Sequence, residues 1–278
     1  MAVWRGYAGL MVFALLPLAA QADEGWAPGI DIGGGLLHTH MQELIDGHAQ
    51  VTESGFLPQT QGRFFIHHNN LEFGASIEDA IGSIDYDGEA QDVHTLAITP
   101  YSTTTDTVFL KTRLDGAITQ GQWRFSGFGG YNVWRRSVLS TGDVGDSNED
   151  YRWFSLGLGA SYRIPLQTGL ALVPGITAWR DIHVEQVSRF GADDTLHLKP
   201  GGRGGAQLSV ALAWTLKSKA EFRLRPYVQG WSFASSEYEP LTKGGQQVLL
   251  SDGEAAYAYQ PEIRYFQYGI SAEYEVRF

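Results

Sequence analysis

The sequence predicts an all-β protein, a transmembrane antiparallel up-and-down β-barrel of about ten strands. Three features indicate this fold: segments in which apolar and polar residues alternate, connections that are short and long in turn, and an aromatic last residue. The final ten residues alternate most clearly, since polar residues separate Ile270, Ala272, Tyr274, Val276 and Phe278. Side chains on a strand point to opposite faces in turn, so this segment has one apolar and one polar face. Such alternation over about ten residues is typical of transmembrane barrel strands.

The composition permits one barrel and argues against several other classes of protein. A chain of 278 residues is long enough for a single domain of this kind. It has no cysteine, which excludes disulfides, thiolate metal sites and a lipid-anchored N-terminus. Residues 1–22 contain Arg5 and no acid, so the rest of the chain has 19 basic and 31 acidic residues, a net charge of −12. This charge argues against nucleic acid as a partner, and we predict no cofactor or metal site.

The first 22 residues have the pattern of a signal peptide. Arg5 supplies a positive start, residues 8–20 are largely apolar, and Ala20-Gln21-Ala22 fits a cleavage site. An uncleaved membrane anchor is the alternative, but the apolar segment is short for a spanning helix. We therefore expect export, removal of residues 1–22 and a barrel of residues 23–278 in the outer membrane. Outer-membrane lipid and lipopolysaccharide are its expected partners.

The alternation predicts ten strands along the mature chain. The first two, roughly 29–41 and 55–67, are the least clear. The other eight follow at about 70–86, 106–118, 122–138, 151–164, 169–187, 204–216, 221–237 and 263–278. An even number is required if both chain ends lie in the periplasm. Eight strands are therefore the alternative, with the first pair in doubt.

The connections between these strands alternate in length. Four short turns are predicted at residues 68–70, 119–121, 165–168 and 217–220, and five long connections at 42–54, 87–105, 140–150, 188–203 and 238–262. Bacterial barrels have short periplasmic turns and long extracellular loops, so we expect the five connections to be surface-exposed. Outward aromatic residues near the short turns fit an aromatic girdle: Trp123, Tyr162, Trp214, Phe222 and Phe278. A soluble β-sandwich would also alternate, but it needs neither such long strands nor a terminal aromatic residue.

The inward faces of the predicted strands carry charges of both signs. By parity they include Lys111, Arg113, Arg124, Arg136, Arg163, Arg223, Arg225, Arg277, Glu72, Glu78, Asp115, Glu221, Glu273 and Glu275. Charges are not stable when dry and unpaired, so we expect a cross-linked polar network with water. Water-filled channels are typical of barrels with about 16 strands, so a ten-stranded barrel with these long side chains should be plugged or nearly so. A narrow porin-like channel remains an alternative.

Two acidic motifs lie near the tops of predicted strands. Asp85-Tyr86-Asp87 ends the third strand, and Asp181-Ile182-His183 lies near the end of the seventh. In type, order and strand number they resemble the Asp pair and the Asp–His pair of the omptins, ten-stranded outer-membrane proteases. Segment 154–179 is also similar to the omptin sequence. The resemblance implies an endopeptidase with Asp85, Asp87, Asp181 and His183 as catalytic residues, in which the histidine acts as the general base for a water molecule.

The parity of the strands does not bring all four of these residues to one face. Asp181 and His183 are predicted to point inward, whereas Asp85 and Asp87 share the outward face. A bulge near Gly82 would correct this mismatch. The gap that precedes the Asp–His element is also shorter than in the omptins. The favoured interpretation is a solvated group of strand-end residues without a catalytic role.

Most of the mature chain also resembles a broad, mostly uncharacterised group of proteobacterial outer-membrane β-barrel proteins. The resemblance is carried by Ser83-Ile84-Asp85-Tyr86-Asp87-Gly88, Gly129-Gly130-Tyr131, Tyr151-Arg152-Trp153 and Gln267-Tyr268-Gly269. The strand that ends at Phe278 is similar to the C-terminal signal of Gram-negative outer-membrane barrels, which implies the barrel-assembly machinery as a partner. These resemblances imply fold and location but no activity. We therefore predict a surface-exposed structural or interaction protein, adhesin- or surface-antigen-like, with the endopeptidase and the narrow channel as alternatives.

Overall fold

Ten long strands account for most of the molecule, as the sequence predicts. The structure is a computed structural model, and it describes residues 25–91, 97–141, 144–190, 194–216 and 220–278. The strands are β1 (Ala27–Ile45), β2 (His48–His68), β3 (Leu71–Gln91), β4 (Ile98–Gln120), β5 (Trp123–Val138), β6 (Ser147–Tyr162), β7 (Leu170–Phe190), β8 (Gly201–Thr215), β9 (Ala220–Ala234) and β10 (Glu262–Arg277). The prediction of ten strands rather than eight is confirmed. The predicted signal peptide and most of the predicted turn 217–220 lie outside the described residues.

The strands form a closed antiparallel barrel. Each strand pairs with the next, and β10 pairs with β1, where Gly29 lies opposite Arg277 and Leu37 opposite Gly269. Closure leaves the barrel with no free sheet edge, which is a requirement for a sheet that crosses a membrane. No helix in the described part of the chain has the length and apolar character needed to span a bilayer.

The outer face of the barrel carries a continuous apolar belt. Exposed aliphatic and aromatic side chains occur on nine of the ten strands, and a groove of about 770 Å³ on the belt is lined in part by Ile32, Leu114 and Leu156. On β9 the outward Phe222 and Leu224 are half-buried. An exposed apolar surface of this extent would be unfavourable in water. The predicted girdle is present near the end with the short turns, where the ring centroids of Trp123 and Tyr162 are 4.8 Å apart. Trp214 and Phe222 form a second pair of rings at 5.7 Å.

The strands extend further than predicted at the opposite end of the barrel. Residues 42–54 were expected to form a long loop, but β1 and β2 continue to a two-residue turn, Asp46–Gly47. Both turn residues have left-handed backbones, with φ of 51° and 81°, as a type I′ hairpin turn requires. Asp-Gly is a strong hairpin signal, and the prediction of a loop here was wrong.

Three other predicted loops are also shorter than expected. β3 continues to Gln91 and β4 begins at Ile98, so much of the segment 87–105 is strand. Likewise, β6 already begins at Ser147, and β7 continues to Phe190. Beyond the apolar belt both faces of a strand are polar, so the alternation disappears although backbone pairing continues. The connection 235–261 alone keeps its predicted length, and we call it the cap loop.

Candidate functional site

The two acids of the predicted Asp pair lie on the outer face of β3. Their neighbours Ile84 and Tyr86 are buried inside the barrel, whereas Asp85 and Asp87 are exposed. Asp87 accepts a hydrogen bond from the Ser102 hydroxyl at 2.5 Å. The register between β3 and β4 is unbroken from one end of β3 to the other. The bulge that would have turned these acids inward is therefore not formed, and the parity derived from the sequence is correct.

The predicted Asp–His pair is separated by a β-bulge in β7. Phe154 lies opposite Ile182, and Arg152 lies opposite Glu185, so two residues of β7 face one residue of β6. His183 occupies the bulge with a left-handed backbone, φ 50°. An extra residue in a strand reverses the alternation of side chains beyond it. The expectation that Asp181 and His183 share the inward face was therefore wrong, because His183 is exposed on the outside.

Asp181 alone of the four predicted catalytic residues lies inside the barrel. It is buried and accepts a hydrogen bond from the Ser155 hydroxyl at 2.5 Å. The Asn132 amide donates to the same hydroxyl at 2.8 Å. The structure places Asp85, Asp87 and His183 on the outer surface, on the other side of the barrel wall. A water molecule activated by His183 would have no contact with Asp181.

Aromatic side chains fill the lumen in the half that lies towards the cap loop. We call this group the aromatic plug, and its members are Phe109, Trp134, Tyr151, Trp153, Trp231, Phe233 and Tyr265. Trp134 stacks on Tyr151 with centroids 4.3 Å apart, and Trp231 stacks on Tyr265 at 4.0 Å. Stacked and edge-to-face pairs at such distances are favourable beyond the area that they bury. The plug joins five strands across the lumen.

A buried arginine lies beside the plug. The guanidinium of Arg136 pairs with Glu53 at 2.8 Å and with Glu149 at 3.2 Å, and it also contacts Glu43. The Tyr151 hydroxyl donates to Glu149 at 2.7 Å, which joins this cluster to the plug. Three carboxylates thus share one guanidinium in a buried place. The inward orientation predicted for Arg136 is confirmed.

The cap loop is folded and anchored to the barrel. Two pairs of short strands form within it, Glu239–Pro240 with Tyr257–Ala258 and Thr242–Lys243 with Gln246–Gln247. A small apolar cluster joins it to the segment between β7 and β8, with Leu196, Leu198, Leu241 and Ala256 as buried members. Gln260, also buried, accepts a hydrogen bond from the Gln186 amide at 2.6 Å, and its Oε1 atom lies 2.9 Å from the Tyr151 hydroxyl oxygen. The cap loop therefore sits on the plug in a defined conformation.

The outer surface of the cap loop is partly aromatic. The side chains of Tyr238 and Tyr257 are 65% and 58% exposed. Asp194 holds the loop from the side, because its carboxylate accepts hydrogen bonds from the backbone N–H groups of Gly245 at 2.8 Å and Gly244 at 3.0 Å. These donors, that of Gly245 above all, lower the pKa of Asp194. The cap thus combines fixed backbone with exposed rings.

Charged side chains line the half of the lumen near the short turns. We call this region the charged base. Arg63 pairs with Asp115 at 2.5 Å and with Glu72 at 2.7 Å, Lys111 pairs with Glu78 at 2.8 Å, and Arg163 pairs with Glu221 at 2.7 Å. The predicted network of paired inward charges is confirmed. It surrounds a polar cavity of about 670 Å³.

The solved structures that resemble this chain are outer-membrane barrels. The outer membrane protease OmpT from Escherichia coli matches with a TM-score of 0.53 at 10% identity, over 92% of this chain and 98% of that chain. The translocator domain of autotransporter NalP from Neisseria meningitidis matches with a TM-score of 0.48 at 12% identity, over 95% and 92% of the two chains. No protein-family model and no curated protein matches the sequence.

The fold is that of an outer-membrane β-barrel. At 10% identity the likeness to OmpT concerns the fold and carries no catalytic residue to this chain. The predicted resemblance to a ten-stranded, loosely omptin-like barrel is confirmed at that level. The closed sheet and its apolar belt, together with this fold, are those of a multi-pass protein of the outer membrane.

Proposed function

We propose that this protein is a sealed outer-membrane barrel whose cap loop binds a partner outside the cell, an adhesin-like role. The observation that carries the proposal is the folded cap loop with Tyr238 and Tyr257 exposed on it. Ordering a connection of this length is costly in conformational entropy. Exposed aromatic side chains on an ordered loop are typical of binding surfaces, because rings bury a large area with few rotatable bonds.

The filled lumen supports an interaction role over that of a channel. Trp134, Tyr151 and Phe233 are fully buried within the plug. A conducting pore of the porin type is lined by polar side chains around water. The barrel then serves as a rigid membrane anchor for the cap loop.

Asp181 lies inside the barrel, whereas Asp85, Asp87 and His183 lie outside it. This separation gives no support to the endopeptidase alternative. We expect the purified barrel, refolded with lipopolysaccharide, to leave fluorogenic peptides uncleaved. His183→Ala and Asp85→Asn are expected to behave as the parent protein does. Peptide cleavage by the parent protein that either substitution abolishes would establish the alternative.

Basic side chains at one edge of the belt support lipopolysaccharide as a second partner. Arg180, Arg203 and Arg264 are exposed on the outer face, and Arg203 and Arg264 pair with Glu262 at 3.0 Å and 2.6 Å. Arginine is well suited to phosphate recognition. We propose that this row faces the phosphates of the outer leaflet.

Cysteine labelling tests the orientation on which the proposal depends. The chain contains no cysteine, so each introduced thiol reports on one position. Lys243→Cys lies in the cap loop, and Asn69→Cys lies in the turn between β2 and β3 at the other end. We expect a membrane-impermeant maleimide to label position 243 in intact cells and position 69 only after permeabilisation. The reverse pattern would contradict the proposal.

Adhesion of intact cells tests the binding role. Cells that display the protein are expected to adhere to at least one immobilised extracellular-matrix protein or glycan. The double substitution Tyr238→Ala/Tyr257→Ala removes both exposed rings and should abolish adhesion, whereas Lys243→Ala in the same loop serves as the matched control. Equal adhesion of cells that display the parent protein, the double variant or Lys243→Ala would refute the role of the cap loop. Equal adhesion of cells that lack the barrel would refute it as well.

A further inference from the structure

We propose that the charged base of the lumen is a binding site for a small polyanion that enters from the end with the short turns. The cavity of about 670 Å³ lies in the size range of small-molecule sites. Six arginines and three glutamates line it: Arg63, Arg124, Arg163, Arg223, Arg225, Arg277, Glu72, Glu221 and Glu275. The cavity wall therefore presents an excess of positive charge.

The acids that balance this excess lie behind the arginines. Asp31, Asp115 and Glu273 pair with arginines of the network but do not line the cavity. Asp31 and Glu273 are buried. The network as a whole is close to neutral, which keeps the barrel stable, whereas its inner surface is cationic. A recessed wall of one charge sign raises the local concentration of ions of the opposite sign.

Glu72 is shared by three of the lining arginines. Its carboxylate contacts the guanidinium groups of Arg63 at 2.7 Å, Arg124 at 2.8 Å and Arg277 at 3.4 Å. A guanidinium has five N–H donors, and one carboxylate has about four acceptor positions. Asp115 and Glu275 accept further hydrogen bonds from Arg63 and Arg277. Arg124 pairs with no other acid of the described residues, so its remaining donors are open to another anion.

Arg163 supplies further donors at the mouth of the cavity. Its Nη2 atom contacts Glu221 at 2.7 Å and Thr215 at 3.3 Å. Its other two nitrogens have no partner among the residues that the structure describes. The Nε atom of Arg225 is buried without a hydrogen-bond acceptor in the described part of the chain, whereas that of Arg223 lies 3.5 Å from Glu221 Oε1. The Arg163 side chain is 41% exposed, so an oxyanion in the cavity can reach its two unpaired nitrogens.

Arg124 and Arg163 lie close enough to bind one anion together. Arg124 is paired across β5 and β6 with Ser161. The backbone N–H of Arg163 donates to the carbonyl of Gln122 at 2.9 Å. The two arginines are thus diagonal neighbours on the inner wall, a separation that long side chains can bridge. Paired guanidinium groups bind phosphate and carboxylate oxygens in a directional, bidentate manner.

The lining is charged and polar for the most part, with Val173 and Ile176 as its larger aliphatic members. No aromatic side chain of the described residues lines the cavity, and the plug lies beyond it. The class of ligand is therefore a compact anion with at least two phosphate or carboxylate groups. The plug makes this a binding site rather than a route across the membrane.

Calorimetric titration of the full mature barrel in zwitterionic detergent tests the site. The probes are pyrophosphate, citrate and, as a neutral control of similar size, glucose. We expect at least one anion to bind and glucose to show no binding. Arg163→Gln and Arg124→Gln should each weaken anion binding by at least about tenfold, because each removes charged hydrogen-bond donors. Binding should also weaken as salt is added. Pyrophosphate and citrate distinguish a phosphate site from a carboxylate site.

Matched variants separate a binding role from a structural role. Arg135→Gln is the control, because Arg135 is 43% exposed and Arg163 is 41% exposed, and each pairs with one acid, but Arg135 lies on the outer face. Ser161→Glu removes no arginine and places a carboxylate beside Arg124, so it should block the anion in a barrel that keeps its ion pairs. The proposal is overturned if neither anion binds at about 10 mM, or if the lining variants and Ser161→Glu bind as tightly as Arg135→Gln.

Discussion

The two halves of the lumen are built on the same strands, yet one is dry and the other is wet. Along the inward face of β9, Arg223 and Arg225 belong to the charged base, and Trp231 and Phe233 belong to the aromatic plug. The backbone of β9 is regular through both halves, since β9 pairs with β10 without a break in register. On this strand the difference therefore comes from the side chains: stacked rings exclude water, whereas charged groups retain it.

The comparison teaches how a barrel of this size can be a closed anchor and still hold a cavity. Ten strands enclose a space that large side chains can fill. Where they do so, the lumen is sealed. Where arginine and glutamate replace them, the same circumference leaves room for water or a small ligand.

The largest effect is expected when the plug is opened. Trp134→Ala/Trp231→Ala removes two ring systems, and each large-to-small change costs about 3–5 kcal/mol through lost packing and the cavity that remains. We expect a lower free energy of unfolding and a steady ionic conductance in planar bilayers, where the parent protein is silent. Trp123→Ala, an outward tryptophan of the girdle, is the control and should stay silent. Conductance by the parent protein, or none by the double variant, would show that the plug does not seal the lumen.

A smaller effect should distinguish arginines in the two halves. The Arg136 side chain is 2% exposed and that of Arg124 is 33% exposed. Arg136→Met leaves Glu43, Glu53 and Glu149 buried without a cation, at a cost of about 3–5 kcal/mol. Arg124→Met in the charged base should cost about 1 kcal/mol or less, because Glu72 keeps its ion pairs with Arg63 and Arg277. The measurement is the free energy of unfolding in urea from lipid vesicles. Equal losses would contradict this difference between the two arginines.

The smallest effect concerns the attachment of the cap loop. The pKa of Asp194 lies below its usual value of 3.8, because backbone N–H groups favour the ionised carboxylate. A lowered pKa means that this stabilisation is complete above 3.8 and is lost as the pH falls through the lower folded-state pKa. We expect the amide hydrogens of residues 241–248 to lose protection against exchange, relative to the intrinsic rate at the same pH, only in strongly acidic buffer. Asp194→Asn should lower this protection at neutral pH. Glu237→Gln, the control, should leave it unchanged. Identical exchange rates for the two variants would show that Asp194 does not anchor the cap loop.

The alternation of residues was sufficient to predict the ten strands and the inward charges. Lys111 and Glu78, Arg163 and Glu221 are paired as their parity requires. Parity is reliable in this region because one face must contact lipid and the other must not. The same rule correctly placed Asp85 outside.

The features that the sequence did not predict have physical reasons. The bulge at His183 inserts one residue, and no pattern marks it in the chain, because the outward positions there are already partly polar. The plug was not recognised as a unit, although Trp231 and Phe233 continue the parity of Arg223 and Arg225. Aromatic residues occur on both faces of a barrel, in the girdle and in the lumen, so composition alone does not assign them. The turn Asp46–Gly47 was the one missed element with a clear local signal.

Thiol reactivity at two inward positions tests the division of the lumen most directly. Ser209 lines the cavity of the charged base, and Thr107 is buried beside the plug, where its hydroxyl accepts a hydrogen bond from Trp134 Nε1 at 2.9 Å. In the cysteine-free chain, Ser209→Cys and Thr107→Cys each place one thiol in one half. We expect a small charged methanethiosulfonate reagent to modify Ser209→Cys rapidly in the folded barrel and to leave Thr107→Cys unmodified until the barrel is unfolded. Similar rates at the two positions would contradict the division into a sealed and a wet half.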